Sequence, residues 1–106
     1  GNELIQKVIE YIIENYHNDI TMAATAELFN MSESSLSKKF KAFTGFRFRE
    51  YLIFYVRTHA AADLLVNTSL SITEIADKCG FADSNTMGGT FKKIMGEAPG
   101  SYRKSH

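Results

Sequence analysis

Cysteine and proline each occur once in these 106 residues, tryptophan is absent, and the twelve basic side chains are matched by twelve acidic ones. A lone Cys79 cannot close an internal disulfide. It is not spaced with His17, His59, His106 or the carboxylates as metal ligands are, so neither metal nor cofactor is called for. No apolar run approaches the roughly 20 residues that span a bilayer, and the opening Gly-Asn-Glu lacks the basic-then-apolar layout of a signal peptide. The expectation is a soluble, cytoplasmic chain with no membrane partner. One proline and no long polar tract leave little room for a disordered linker. No carboxylate pair, nucleophile-base pair or phosphate-cradling glycine loop has a workable spacing, so the chain is not expected to be an enzyme.

Zero net charge argues at first against nucleic acid, because neutralising phosphates normally takes a basic protein. The distribution reverses that argument. Residues 1–30 carry one cation against five anions, residues 31–60 carry six against two, and residues 61–106 carry five against five. The positive charge is therefore concentrated in one segment.

What the chain does have is the same passage twice. Phe29-Asn30-Met31-Ser32 leads to Phe40-Lys41 and Gly45; Cys79-Gly80-Phe81-Ala82-Asp83 leads to Phe91-Lys92 and Gly96. Each copy has a short helix, a residue suited to a left-handed turn (Asn30 or Gly80) and a second helix, which is the outline of a helix-turn-helix. Leu4, Ile5, Val8, Ile9, Ile12, Ile13 and Tyr16 recur at helical steps and predict a leading amphipathic helix. Thr21, Ser32, the Ser71/Glu74 capping box and Asp83 predict four further helix starts. A helix from about Phe48 to Val66 buries Tyr51, Leu52, Tyr55, Val56, Ala60, Leu64 and Leu65, and Pro99 opens a closing turn. The expected fold is all-α, about seven helices, with lobes at 1–47 and 68–106 joined by a linker helix at 48–67. Phe29, Phe40, Phe43, Phe81, Phe91 and Tyr102 are expected in the cores, Cys79 as a buried hydrophobe, and Glu50 and Asp63 in surface ion pairs.

These residues resemble the DNA-binding domain of AraC/XylS-type bacterial transcription regulators over nearly the whole chain. The first half matches in Ile20-Thr21-Met22, Asn30-Met31-Ser32, Leu36-Ser37-Lys38, Phe40-Lys41, Gly45, Tyr51-Leu52, Arg57 and Leu64-Leu65. The second matches in Ser71-Ile72, Glu74-Ile75-Ala76, Cys79-Gly80-Phe81, Asp83-Ser84, Phe91-Lys92-Lys93, Gly96, Pro99 and Tyr102-Arg103. The resemblance implies sequence-specific binding of double-stranded DNA and transcription regulation, with one recognition helix per lobe entering successive major grooves. It places base reading at Ser34, Ser37, Lys38, Ser84, Asn85 and Thr86, and phosphate contact at Ser35, Lys39, Lys41, Arg49, Lys92 and Lys93. It also implies an N-terminal sensor or dimerisation domain outside this chain, and RNA polymerase as a partner if regulation is positive, with Glu10 and Glu14 as a candidate contact surface. The isolated domain is expected to be monomeric.

Two departures stand out. Lys38 occupies a position where the family commonly has arginine, and so lacks the bidentate fork. Gly88-Gly89 sits where the family commonly places side chains that reach DNA, which implies a weaker second reader; alternatively, the glycines permit a close approach of a neighbouring helix or of DNA. Thr25 replaces a family leucine and predicts slightly loose packing in the first lobe. The competing function is a helical protein-interaction module whose DNA reading has degraded.

Overall fold

The computed structural model describes residues 2–106. Seven helices follow one another, and no strand occurs among the described residues. They are α1 (Asn2–Asn15), α2 (Met22–Leu28), α3 (Glu33–Thr44), a long rod α4, α5 (Ile72–Lys78), α6 (Ser84–Met95) and α7 (Pro99–Ser105). The rod joins a first turn, Phe48–Glu50, to a wider π-type segment, Tyr51–Arg57, and then to a regular stretch, Thr58–Asn67. None of these helices is long and apolar enough to cross a membrane.

The starts are set by side chains that occupy otherwise orphaned N–H groups. Thr21 Oγ1 accepts from Ala24 N at 3.1 Å, Ser32 Oγ from Ser35 N at 3.0 Å and Asp83 Oδ1 from Thr86 N at 2.7 Å. Ser71 and Glu74 exchange bonds at 3.1 Å each, closing the capping box. Ala98 offers no such bond before α7, where Pro99 supplies the preset φ instead.

The two turns are built alike. Asn30, at φ 55, lets Met31 N reach Ala26 O at 2.8 Å; Gly80, at φ 86, lets Phe81 N reach Ala76 O at 2.9 Å. Both are six-to-one bonds past a left-handed residue, which satisfy the last carbonyls of the short helix. The second turn carries one residue more, Ala82, before its cap. Beyond the turns, the repeat extends into packing: Phe40 meets Tyr51 edge-on at 5.4 Å, and Phe91 meets Tyr102 edge-on at 5.2 Å.

Burial divides into two cores. Ile5, Val8, Ile12, Ala26, Leu36, Phe40, Phe48 and Leu52 form the first. Ala61, Ala62, Leu65, Ile75, Ala76, Cys79, Phe81, Met87 and Phe91 form the second. Tyr16 and Ile53 pack against both, so the turn just past α1 and the π-type segment join the lobes. Thr25 is fully buried, yet its hydroxyl donates to Thr21 O at 2.7 Å, so the polar atom is satisfied. Burial pushes the Cys79 thiol up to about 11, which holds it as an unreactive hydrophobe.

Several expectations need correction. Phe43 is 38% exposed rather than in the core, and Ile13 and Tyr55 lie 53% and 47% exposed despite their helical spacing. In a body only 22 × 21 Å across its short axes, each helix has a narrower face to bury than its apolar stripe offers. Glu50 does not form the expected ion pair; its Oε1 accepts from Arg47 N at 3.0 Å and caps the start of the rod. The rod is not α-helical throughout: Thr58 Oγ1 donates to Ile53 O, five residues back, at 2.9 Å, at the end of the widened segment.

Candidate nucleic-acid interface

The second helix of each turn motif, α3 or α6, begins at the cap that follows its turn. On α3, Leu36 and Phe40 are buried while Ser34, Ser37, Lys38, Lys39 and Lys41 are exposed and Ser35 is half-buried. Residues 34, 37, 38 and 41 recur at steps of three and four, so they share one outward stripe. That stripe carries hydroxyls near the N-terminus and lysines toward the C-terminus. Arg49, on the first turn of the rod, is exposed beside it in sequence.

On α6, Met87 and Phe91 are buried. Ser84 is half-buried, and Asn85, Thr86, Lys92 and Lys93 are exposed. Lys93 lies over the Phe54 ring, with Nζ 5.4 Å from its centroid, so part of its reach is directed toward the rod. The outward stripe of α6 is blank in its middle: a Cβ built at Gly88 or at Gly89 meets nothing within 4 Å. Close helix packing therefore does not explain these glycines within the chain. Both lie in regular helix, and filling them stabilises by reducing unfolded-state freedom. Gly88→Ala and Gly89→Ala are each expected to raise stability by about 0.5–1 kcal/mol. Thermal melts of the pair that fail to rise would show that these glycines are strained in a way their open surroundings do not reveal.

The helix starts differ in charge. Where α3 has neutral Ser32, α6 has the Asp83 carboxylate. Hydrogen bonds from the backbone and side chain of Thr86 hold Asp83 below the usual carboxylate range, so it is ionised at neutral pH. Its folded value is depressed, so its stabilising contribution is present above the unfolded carboxylate pKa and is lost as pH falls through the folded value. Replacing Asp83 with alanine should therefore flatten the acid side of a stability–pH curve. An acid limb identical to that of the parent would place the pH dependence elsewhere.

Not all of the basic segment is available for an outside ligand. Arg57 Nε donates to Tyr16 O at 2.8 Å and Nη2 to Asn18 O at 2.9 Å. Arg103 Nε donates to Leu65 O at 3.0 Å and Nη2 to Thr68 O at 3.2 Å, tying α7 to the end of the rod. Arg57 counts among the six cations of residues 31–60 and Arg103 among the five of the balanced 61–106 segment; their partners lie 35 to 41 positions away, and nothing local signals them. An open cleft of about 830 Å³ runs between the lobes, bordered by Asn18, Arg49, Arg57, Gly80 and Thr86. No cluster of three His, Cys, Asp or Glu side chains suited to a metal occurs among the described residues.

Comparison with known proteins agrees with this architecture. The helix-turn-helix domain family matches residues 25–105. An HTH-type transcriptional regulator of Escherichia coli K12, YpdC, itself uncharacterised, is 34% identical over 102 residues, covering 96% of this chain and 35% of that protein. The chain thus spans about a third or less of the length of the curated relatives it matches. Among solved structures, the C-terminal domain of AraT, a response regulator from Geobacillus stearothermophilus, superposes with a TM-score of 0.92 at 33% identity, covering 97% of this chain and 85% of that one. The DNA-binding domain of the global transcriptional factor AdpA, solved in complex with a target DNA, superposes with a TM-score of 0.90 at 27% identity, covering 94% and 89%. With its duplicated turn, its two caps and its closing aromatic pairs, the chain belongs to the AraC-type helix-turn-helix family of DNA-binding transcription regulators.

Proposed function

We propose that this domain reads double-stranded DNA in two pieces, with α3 and α6 entering successive major grooves on one face. The observation that carries the reading is the repetition of a whole device: left-handed turn, capped helix and edge-on aromatic pair, set twice on one rod. Successive grooves on one face lie about 34 Å apart, and the 43 Å long axis of the molecule is enough to span that distance. In this reading Ser34, Ser37 and Lys38 meet base edges from α3, while Ser84, Asn85 and Thr86 do so from α6. The hydroxyls accept or donate to several bases, Lys38 donates to the O6/N7 edge of guanine, and Asn85 pairs with adenine. Ser35, Lys39, Lys41, Arg49, Lys92 and Lys93 hold phosphates and fix the register.

The lobes contribute unequally. The α6 stripe has two bare positions and an anionic cap, so the second half-site is read less sharply. The acidic outer face of α1, with Glu10 and Glu14, is free for RNA polymerase or for a sensor domain of the longer regulator. Selection of bound duplexes from a random pool tests the proposal: two elements one helical turn apart, the first sharper, are expected. A single element, or none, would sink bipartite reading. Adding the missing fork by Gly89→Arg is expected to sharpen the second element by about 1–3 kcal/mol of base discrimination. An unchanged preference there would show that position 89 does not face the bases.

A further inference from the structure

Among the described residues, two arginines alone make side-chain hydrogen bonds between parts of the chain 35 or more positions apart. Arg103 acts within the second lobe. Arg57 stands where three pieces meet. It rises from the rod, its guanidinium donates to the Tyr16 and Asn18 carbonyls just past α1 of the first lobe, and the second lobe's turn closes on it through Gly80. A Cβ at Gly80 would lie 2.7 Å from Tyr16 O and 2.9 Å from Arg57 Nε, so the turn seats against the arginine only because residue 80 has no side chain. Tyr16 and Ile53, packed on both cores, flank the same joint. A rotation here is multiplied along each arm of a 43 Å molecule before it reaches a recognition helix.

We propose that Arg57, keyed against Gly80, fixes the separation and phase of the two recognition helices, and so determines which spacing between half-sites the protein accepts. The inference rests on the bipartite reading above. Arg57 is a positioning residue: its Nε and Nη2 are committed to backbone carbonyls, and it sets specificity through geometry rather than by touching a base. A planar fork is needed, because one lysine ammonium cannot hold two carbonyls from the same fixed direction.

Two measurements test it. Nitroxide labels on Glu27→Cys and Lys104→Cys, one in each lobe and both exposed, report the interlobe distance in the free protein; buried Cys79 stays unlabelled. A narrow distribution is expected for the parent, a broad or shifted one for Arg57→Met and for Gly80→Ala, and an intermediate one for Arg57→Lys. Affinities are then measured on duplexes in which the two elements are moved apart by up to half a helical turn. The parent is expected to lose on the order of 100-fold off its optimum, as a rigid bivalent binder does. Arg57→Met should lose less than about 10-fold, with binding to either isolated element unchanged. If Arg57→Met does not fold, Arg57→Lys and Gly80→Ala carry the test. Narrow distances and an unmoved spacing optimum in folded variants would overturn the proposal. A parent with no spacing preference would overturn it too, by removing bipartite reading, and the distance data would then show separately whether the joint is locked.

Discussion

DNA affinity is expected to fall roughly 500-fold between 50 and 200 mM salt. That magnitude follows from the five cations assigned to phosphates, Lys39, Lys41, Arg49, Lys92 and Lys93, each releasing a counterion, for a slope near −4.5 in log affinity against log salt. Arg57 adds nothing to this slope, because its guanidinium is spent on two backbone carbonyls. Truncating Lys41 should reduce the slope by about 1 and weaken all sequences alike, whereas truncating Lys38 should weaken the preferred sequence most. A flat salt response would point to the protein-interaction alternative, since surface lysines that meet no phosphate release no counterions.

Replacing Phe91 with alanine is expected to cost about 3–5 kcal/mol, a large part of the stability of a domain this size. Phe91 is fully buried in the second core and packs edge-on against Tyr102. Its removal leaves a cavity beside the Tyr102 ring, which keeps only its stacking on His106. The same truncation at Phe40 is expected to cost as much, because that ring meets both Phe48, at 5.5 Å, and Tyr51. Urea denaturation measures both. Losses below about 1 kcal/mol would mean that the cores collapse around the gap, and so are less tightly packed than complete burial implies. With two cores joined through Tyr16 and Ile53, each variant should also expose the amides of its own lobe to hydrogen exchange first.

Much of this architecture is legible in the sequence because its decisive chemistry is local. A capping side chain satisfies an N–H three residues on, and a left-handed position asks for glycine or asparagine. Thr21, Ser32, Ser71, Asp83, Asn30 and Gly80 could therefore be read directly, and the structure uses each as expected. Periodicity was a poorer guide to depth. It marks an apolar face without saying how much of that face finds a partner, which is why Phe43, Ile13 and Tyr55 were misplaced. Bonds of long sequence separation were not legible: Arg57 and Arg103 look like their charged neighbours until the fold brings carbonyls to them. The π-type segment of the rod, Tyr51–Arg57, was not legible either, since helical periodicity does not mark where a helix widens. For the interface, the sequence indicated which residue types line the recognition helices, and the fold adds that the α3 stripe is exposed and the α6 stripe interrupted.

The blank at Gly88-Gly89 bears on how such a reader acquires a new target. A change that improves recognition usually weakens the scaffold, and a lineage must first accumulate spare stability to survive it. Here both positions open onto empty space, and almost any side chain is a better helix former than the glycine it replaces. Single substitutions at these two sites can therefore be tried without compensating changes elsewhere, and each leaves the helix at least as firm as before. Under the bipartite reading proposed above, sequence preference can be added to α6 at these two positions one residue at a time.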